Sequence, residues 1–157
     1  MTADTHTSAT QVRVGVGVFV VRRRDNHILV GKRKGSHGHG TYQLPGGHLD
    51  PFESFEECAA REVWEEARLK LQNITYGTTT NDPMPKENKH YVTIFVTAEC
   101  VDDEPLPEVC EPDKCDYWEF ISFEELMTNR TPLFKPLESL AATRPSFRPE
   151  TNSIDRH

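Results

Sequence analysis

Apolar residues recur along the chain with two different periods. Val12 to Val21 is a β-branched run with small residues at alternate positions, which predicts a strand buried on at least one face. A turn through Arg23, Asp25, Asn26 and His27 leads to Ile28–Arg33, the returning strand of a hairpin. The glycine-rich loop 35–40 follows, then a short strand at Tyr42, Gln43 and Leu44 that enters Pro45-Gly46-Gly47. Here the period changes. Ser54, with Glu57 three residues on, is a capping box, and Phe55, Ala59, Ala60, Val63 and Trp64 give the helix it opens a side that packs on a sheet.

Downstream, 69–80 reads as a strand, 82–89 as a loop and 90–100 as a strand. In the last, Val92, Ile94 and Val96 share one face and Tyr91, Thr93 and Phe95 the other. The acidic, proline-bearing stretch 102–116 is a surface loop, and 117–121 returns as a strand. Ser122 and Glu125 predict a second capping box for a short helix through Met127. A last helix starts near Pro136 and buries Leu137, Leu140 and Ala141. The polar segments 1–11 and 143–157 are expected to be poorly ordered, leaving one domain at 12–142. Strands flanking one long helix, with another at the C-terminus, fit an α/β domain with a mixed sheet and helices on its faces.

Composition narrows the function. A chain of 157 residues with 36% hydrophobic and 27% charged residues suits one soluble domain. No apolar run reaches the roughly 20 residues of a membrane span, and residues 1–10 show neither a signal-peptide core nor an Arg-rich transit pattern, so the expected location is cytoplasmic. Cys58, Cys100, Cys110 and Cys115 form no paired Cys-x-x-Cys elements and are expected to be reduced, with Cys58 in the core and a zinc or redox pair at Cys110 and Cys115 disfavoured. His37 and His39, in the glycine-rich loop, read as solvent-facing rather than as ligands. With 18 basic against 25 acidic residues the formal charge is −7, which argues against partners such as long nucleic acids or anionic membranes. A small phosphorylated substrate stays open, because Lys32, Arg33 and Lys34 form a local basic cluster.

The chemistry concentrates on the first helix. Glu62, Glu65 and Glu66 stand at i, i+3 and i+4, which places three carboxylates on one helix face. Such a face is usually just solvated, yet a divalent cation with oxygen ligands, Mg²⁺ or Mn²⁺, relieves the mutual repulsion. The residues around it favour the second reading. From Gly47 to Leu69 the chain follows G-x5-E-x7-R-E-U-x-E-E-x-G-U, with U apolar, through Gly47, Glu53, Arg61, Glu62, Val63, Glu65, Glu66 and Leu69. This resembles a Nudix box. Two positions depart from it: Arg68 stands where the family helix ends on Gly, and Phe52, after Pro51, where Gly often precedes the first glutamate. Arg enters the left-handed region only with strain, so the helix is expected to exit by another route.

The resemblance implies a Nudix α/β/α sandwich with a catalytic loop-helix-loop, and metal-assisted attack of water on a phosphoric anhydride. It makes Glu62 and Glu66 the principal metal ligands, Glu65 a further ligand or the general base, and Glu53 an outer ligand or water-positioning acid. Arg61 orients a catalytic glutamate. Arg33 is the phosphate-binding candidate, and Gly46 and Gly47 permit close backbone approach to the ligand.

Segments 31–36, 44–49, 56–58, 90–95, 111–115 and 132–137 closely resemble a eukaryotic, MutT-like subgroup that includes the vertebrate hydrolase of thiopurine nucleotides and a cytosolic plant enzyme. That resemblance implies hydrolysis of (deoxy)nucleoside triphosphates, oxidised forms included, to monophosphate and pyrophosphate, and a homodimer. It maps a base-stacking aromatic onto Phe134, whose neighbour, commonly Trp, is Lys135 here. Gln43, Leu44, His48 and Thr93 map near the same pocket, with ordinary sheet packing as the alternative. Isoprenyl diphosphate hydrolysis is the rival activity. A catalytically inactive Nudix-fold binding module is the rival of another class, disfavoured because all four box glutamates are present, and messenger-RNA decapping is disfavoured by the acidic charge.

Overall fold

A computed structural model describes residues 11–151; the segments 1–10 and 152–157, expected to be poorly ordered, lie outside the described residues. The elements are β1 (Val12–Arg22), β2 (His27–Arg33), β3 (Tyr42–Gln43), β4 (Gly46–His48), α1 (Phe55–Ala67), β5 (Leu71–Met84), β6 (Lys89–Cys100), β7 (Cys115–Ile121), α2 (Phe123–Asn129) and α3 (Lys135–Thr143). A 3₁₀ turn at Pro85–Glu87 joins β5 to β6.

The sheet runs β3-β2-β1-β6-β5, with β4 added to β1 and β7 to β2. It is mixed, because β1 and β6 are parallel from Val12↔His90 to Val21↔Glu99. The β1–β2 hairpin pairs only beside its turn, at Val21↔Ile28 and Arg22↔His27. Beyond that point the strands take other partners: β4 pairs with Gly15–Gly17 of β1, and β7 runs along β2. The fork between β1 and β2 is where the cleft described below opens.

Alternation divides the sheet between two cores. Val16, Val18 and Val20 of β1, with Ile94, Val96 and Ala98 of β6, meet Cys58, Ala59, Val63 and Ala67 of α1. On the other face, Phe19, Val21, Ile28, Val30 and Phe95 meet Phe123, Leu126, Leu137 and Leu140 of α2 and α3. This is the expected α/β/α arrangement, with Cys58 in the core as read from the sequence.

Helix α1 begins on the anticipated capping box: Ser54 Oγ accepts from Glu57 N at 3.0 Å, and Glu57 Oε1 accepts from Ser54 N at 2.9 Å. Its buried stripe differs from expectation. Ala60 and Trp64 face solvent, one step around the helix from the Ala59–Val63–Ala67 line, and the Arg68 guanidinium, 5.1 Å over the Trp64 ring, covers the indole in place of the sheet. The helix also ends where the family's glycine would end it. Arg68 adopts the left-handed region at φ 56° and ψ 37°, and its N–H bonds Trp64 O at 3.1 Å. The expected alternative exit is absent, since the αL turn satisfies a terminal carbonyl and the Arg68 side chain folds back on Trp64 O at 3.0 Å.

Four further expectations are corrected. β5 continues through Asp82 to Met84, because its pairing with β6 persists past two bulges to Met84↔Lys89. Ser122 caps α2, but the Glu125 side chain turns to Asn129 and Arg130 and leaves that capping box half closed. Ser139 takes the buried position in α3 and Ala141 is exposed. After Thr143 the chain touches the domain at particular points: the Phe147 ring lies 5.5 Å from that of Phe19, and Arg144 donates to Thr78 Oγ1 and Thr79 O, both at 3.3 Å.

Candidate active site

The three-glutamate face of α1 lines a cleft of about 750 Å³ whose other walls come from β1, β2, β3, β4, β6, β7, the loops before β3 and β7, and the start of α3. Two glycines let Pro45 and β4 lie this close. Gly46 sits at φ 155°, and a Cβ there would strike Val16 O of β1; a Cβ on Gly47 would fall on the Glu62 carboxyl group. Gly46 N donates to Glu66 Oε1 at 2.8 Å, so the turn and the helix fix one another.

The carboxylates differ in environment. Burial pushes Glu66 up to about 8, the Gly46 N–H opposes this, and the negative charges of Glu62 and Glu111 add to it. Glu62 is raised as well, first by burial, with Arg61 acting against it and Glu65 and Glu111 with it. Glu65 is exposed. Among the described residues no three acidic, His or Cys side chains are gathered in ligand geometry, and Glu62 Oε1 accepts from Arg61 Nη1 at 2.7 Å. The donor set still suits a hard divalent cation. Glu62, Glu65, Glu66 and Glu111 offer only oxygen to one cleft, and burial penalises the charge on Glu62 and Glu66.

Arg61 and Glu53 stand behind this face. Arg61 Nε and Nη2 donate to the two oxygens of Glu53 at 2.7 and 3.0 Å, and Nη2 also reaches His48 O at 3.2 Å. One guanidinium thus ties α1, the loop 49–53 and β4 together. Hydrogen bonds from Arg61 and from Asp50 N hold Glu53 down at about 2, and the carboxylates of Glu53 and Glu62 raise Arg61.

The remaining candidates form the opposite wall. Arg33, Gln43, Leu44, Gly46, Gly47, His48, Thr93 and Phe134 all line the cleft. Arg33 is largely committed to protein groups: Nη1 donates to Gln43 Oε1 at 2.6 Å, Nε to His37 O at 3.1 Å, and its plane lies 4.0 Å over the Phe134 ring. Burial lowers its pKa. His48 stacks on Tyr91 and shares a 2.8 Å hydrogen bond with its hydroxyl. Thr93 Oγ1 donates to Asp82 Oδ2 at 2.6 Å. Lys135 pairs with Glu138 at 3.5 Å, and the cleft receives Pro136 and Leu137 from the next positions of α3.

Two site groups escape the sequence reading. Glu111 enters the cleft because Glu108 N and Cys110 N bond the terminal α1 carbonyls of Ala67 and Glu66 at 3.0 and 3.3 Å, which moors the acidic loop there. Segment 111–115 belongs to the subgroup resemblance, yet nothing in it marks Glu111 as a cleft group. Asp82, read as part of a loop through its Asp-Pro pair, is fully buried in β5.

The comparisons with known proteins agree with this geometry. The NUDIX domain family model matches residues 11–142. The NAD-capped RNA hydrolase NudC of Edwardsiella ictaluri is 40% identical over 68 residues, which cover 43% of this chain and 26% of that protein. The aligned region therefore spans about a quarter of the curated relative. The crystal structure of a MutT NUDIX hydrolase from Burkholderia pseudomallei superimposes with a TM-score of 0.69 at 30% identity, covering 83% of this chain and 98% of that one. A bifunctional NMN adenylyltransferase/ADP ribose pyrophosphatase from Francisella tularensis, complexed with AMP and a Mn ion, shares the fold at 20% identity, with a TM-score of 0.66 over 91% of this chain and 44% of that one. No helix among the described residues is long and apolar enough to cross a membrane. With the family model spanning most of its length and the box residues gathered at one cleft, the chain belongs to the NUDIX hydrolase family.

Proposed function

We propose that this NUDIX hydrolase cleaves nucleoside triphosphates, oxidised or otherwise modified ones included, to the monophosphate and pyrophosphate. The observation that carries this reading is the single cleft in which the carboxylates of α1 face a wall bearing Arg33, Phe134 and Thr93, with room for a nucleotide. Glu62 and Glu66, with Glu65 or Glu111, would hold a divalent cation, Mg²⁺ or Mn²⁺, which would supply charge neutralisation and lower the pKa of water. The chain's own residues do the rest. Glu65, exposed at the cleft edge, accepts the proton of the attacking water, and Glu53 stays behind it in the grip of Arg61. Arg61 holds Glu53 and Glu62 in place through its fork, and Gly46 N orients Glu66. Arg33 contributes positive potential to the phosphate path while it braces Gln43 and the ring of Phe134.

The resemblance to the eukaryotic MutT-like subgroup supports the triphosphate reading and a cytoplasmic homodimer. Exposed Val12 and Val14 on β1 offer an apolar strip for the second copy. Two other substrate classes have specific support. The similarity to the NudC segment favours a nucleoside diphosphate bearing a second group, and the apolar lining by Leu44, Phe95 and Leu137 favours an isoprenyl diphosphate.

One panel decides among them. The protein is assayed with Mg²⁺ on dGTP, dCTP, 8-oxo-dGTP, NAD, ADP-ribose and geranyl diphosphate, scoring pyrophosphate against phosphate and, for NAD and ADP-ribose, the AMP formed. Pyrophosphate release from nucleoside triphosphates as the fastest reaction is the expected result. Turnover confined to the diphosphates overturns the reading, and no turnover of any of them marks a binding module.

A further inference from the structure

Behind the cleft wall lies a polar group that neither catalysis nor the metal site uses. Asp82 is completely buried in β5, opposite Tyr91 of β6, while Thr80 is opposite Thr93. Partners in an antiparallel pair project on the same face, so Thr80, Asp82 and Thr93 form one buried cluster. Both threonine hydroxyls donate to the same carboxylate oxygen: Thr80 Oγ1 to Asp82 Oδ2 at 2.8 Å and Thr93 Oγ1 to Asp82 Oδ2 at 2.6 Å. Asp82 Oδ1 is buried with no hydrogen-bond partner. A buried carboxylate with one oxygen unmatched is costly.

The arrangement fixes the polarity of one cleft atom. A threonine hydroxyl has one proton and two lone pairs and normally rotates to suit its partner. In Thr93 the proton is committed to Asp82, away from the cleft that Thr93 lines. What Thr93 Oγ1 can offer a ligand is therefore acceptor capacity alone. We propose that Asp82 is a specificity-determining positioning residue, which through Thr93 makes this wall select an organic group bearing an N–H or O–H donor, such as the amide or amino edge of a nucleobase. A donor-free base or an isoprenyl chain would leave the Thr93 lone pairs desolvated and unpaired, and such a loss discriminates more strongly than a missing apolar contact.

This inference rests on the nucleotide reading above, and the test separates the two. Wild type, Asp82→Asn, Thr93→Val, Thr93→Ser and the Asp82→Asn/Thr93→Val double variant are assayed with Mg²⁺ on two probes. These are dGTP, whose base carries amide and amino N–H groups, and 2′-deoxypurine riboside triphosphate, whose unsubstituted base carries none. In wild type kcat/KM favours dGTP. Thr93→Val lowers that preference by at least about tenfold, mainly through KM for dGTP, and Thr93→Ser keeps it. Asp82→Asn lowers it too, because the amide can donate to Thr93 and release the hydroxyl proton toward the cleft. The double variant falls no further than Thr93→Val, since Asp82 acts through Thr93. A merely structural Asp82 would change the melting temperature and leave the ratio alone.

An unchanged ratio in Asp82→Asn, or losses that add in the double variant, overturns the inference while nucleotide turnover leaves the functional reading standing. Should Asp82→Asn not fold, an unchanged ratio in Thr93→Val overturns it alone. Wild type that turns over neither triphosphate overturns both.

Discussion

Arg61 holds Glu53 in a two-pronged grip, with Nε 2.7 Å from Oε2 and Nη2 3.0 Å from Oε1, and turns its third nitrogen to Glu62 at 2.7 Å. Lysine is a point charge that cannot reproduce this fork. Arg61→Lys is expected to lower kcat by about tenfold or more with a smaller effect on KM, and unchanged kcat would show that the fork does not position the reacting groups. The pair also has a pH signature. Glu53 titrates at about 2 in the folded protein and near 4.3 unfolded. Its folded value is depressed, so its contribution to stability is complete above the unfolded value and is lost as pH falls toward 2. The melting-temperature difference between wild type and Glu53→Gln should hold constant from pH 5 to 7 and shrink below about 4.5; a difference that grows on acidification refutes the pairing.

Glu66 and Glu62 carry the metal prediction. Glu66 titrates at about 8, so the folded protein at neutral pH without a cation holds it largely protonated. Gln is then nearly isoelectronic with it and can keep the bond from Gly46 N. Glu66→Gln should melt within a few degrees of wild type, while Mn²⁺ affinity measured calorimetrically falls and turnover drops by about a hundredfold or more. Glu62→Gln should lose turnover to a similar degree. Full activity in both variants would remove these residues from the metal site.

Phe134 is braced on one side by Arg33, 4.0 Å away, and touched edge-on by His37 at 5.3 Å between ring centroids. Truncation to Ala is expected to cost about 1–3 kcal/mol of nucleotide binding, a stacking magnitude taken from single-strand recognition. It should raise KM more than it lowers kcat, since stacking is similar in ground and transition states. Lys135→Trp, beside it, should shift preference toward purines. A KM unchanged for every nucleotide in Phe134→Ala would make Phe134 a packing residue.

The parts of this protein that were legible in its sequence are those fixed by local spacing. Glu62, Glu65 and Glu66 share a face because a helix has one period, and Ser54 caps because Glu57 stands three residues on. What sequence concealed depends on long-range partners. Asp82-Pro83 has the composition of a turn, yet β6 supplies both the ladder and Thr93 to satisfy the carboxylate. Glu111 reaches the cleft only because its loop bonds carbonyls at the end of α1, over 40 residues earlier. Trp64 fits the apolar pattern but has Arg68 as its cover, a pairing that depends on the left-handed turn at Arg68.

The box's second departure from glycine yields a stability prediction with an internal control. Phe52 holds φ at 69°, and its side chain is fully exposed, so strain there is offset by no packing. A left-handed non-glycine residue costs about 1–2 kcal/mol, and glycine returns about 0.4–1 kcal/mol through the entropy of the unfolded chain. Phe52→Gly should therefore stabilise the protein by up to about 1 kcal/mol, read from the denaturant midpoint at constant slope. Phe52→Ala removes the same aromatic ring but keeps a Cβ in the left-handed region, so its midpoint should stay near that of wild type. Glu53 should remain in place in Phe52→Gly, because its N–H still bonds Asp50 O at 3.1 Å and its carboxylate still faces Arg61. Equal gains from Gly and Ala would assign the effect to the exposed ring; no gain from Gly would show that the turn from Asp50 to Glu53 holds the left-handed conformation at no cost.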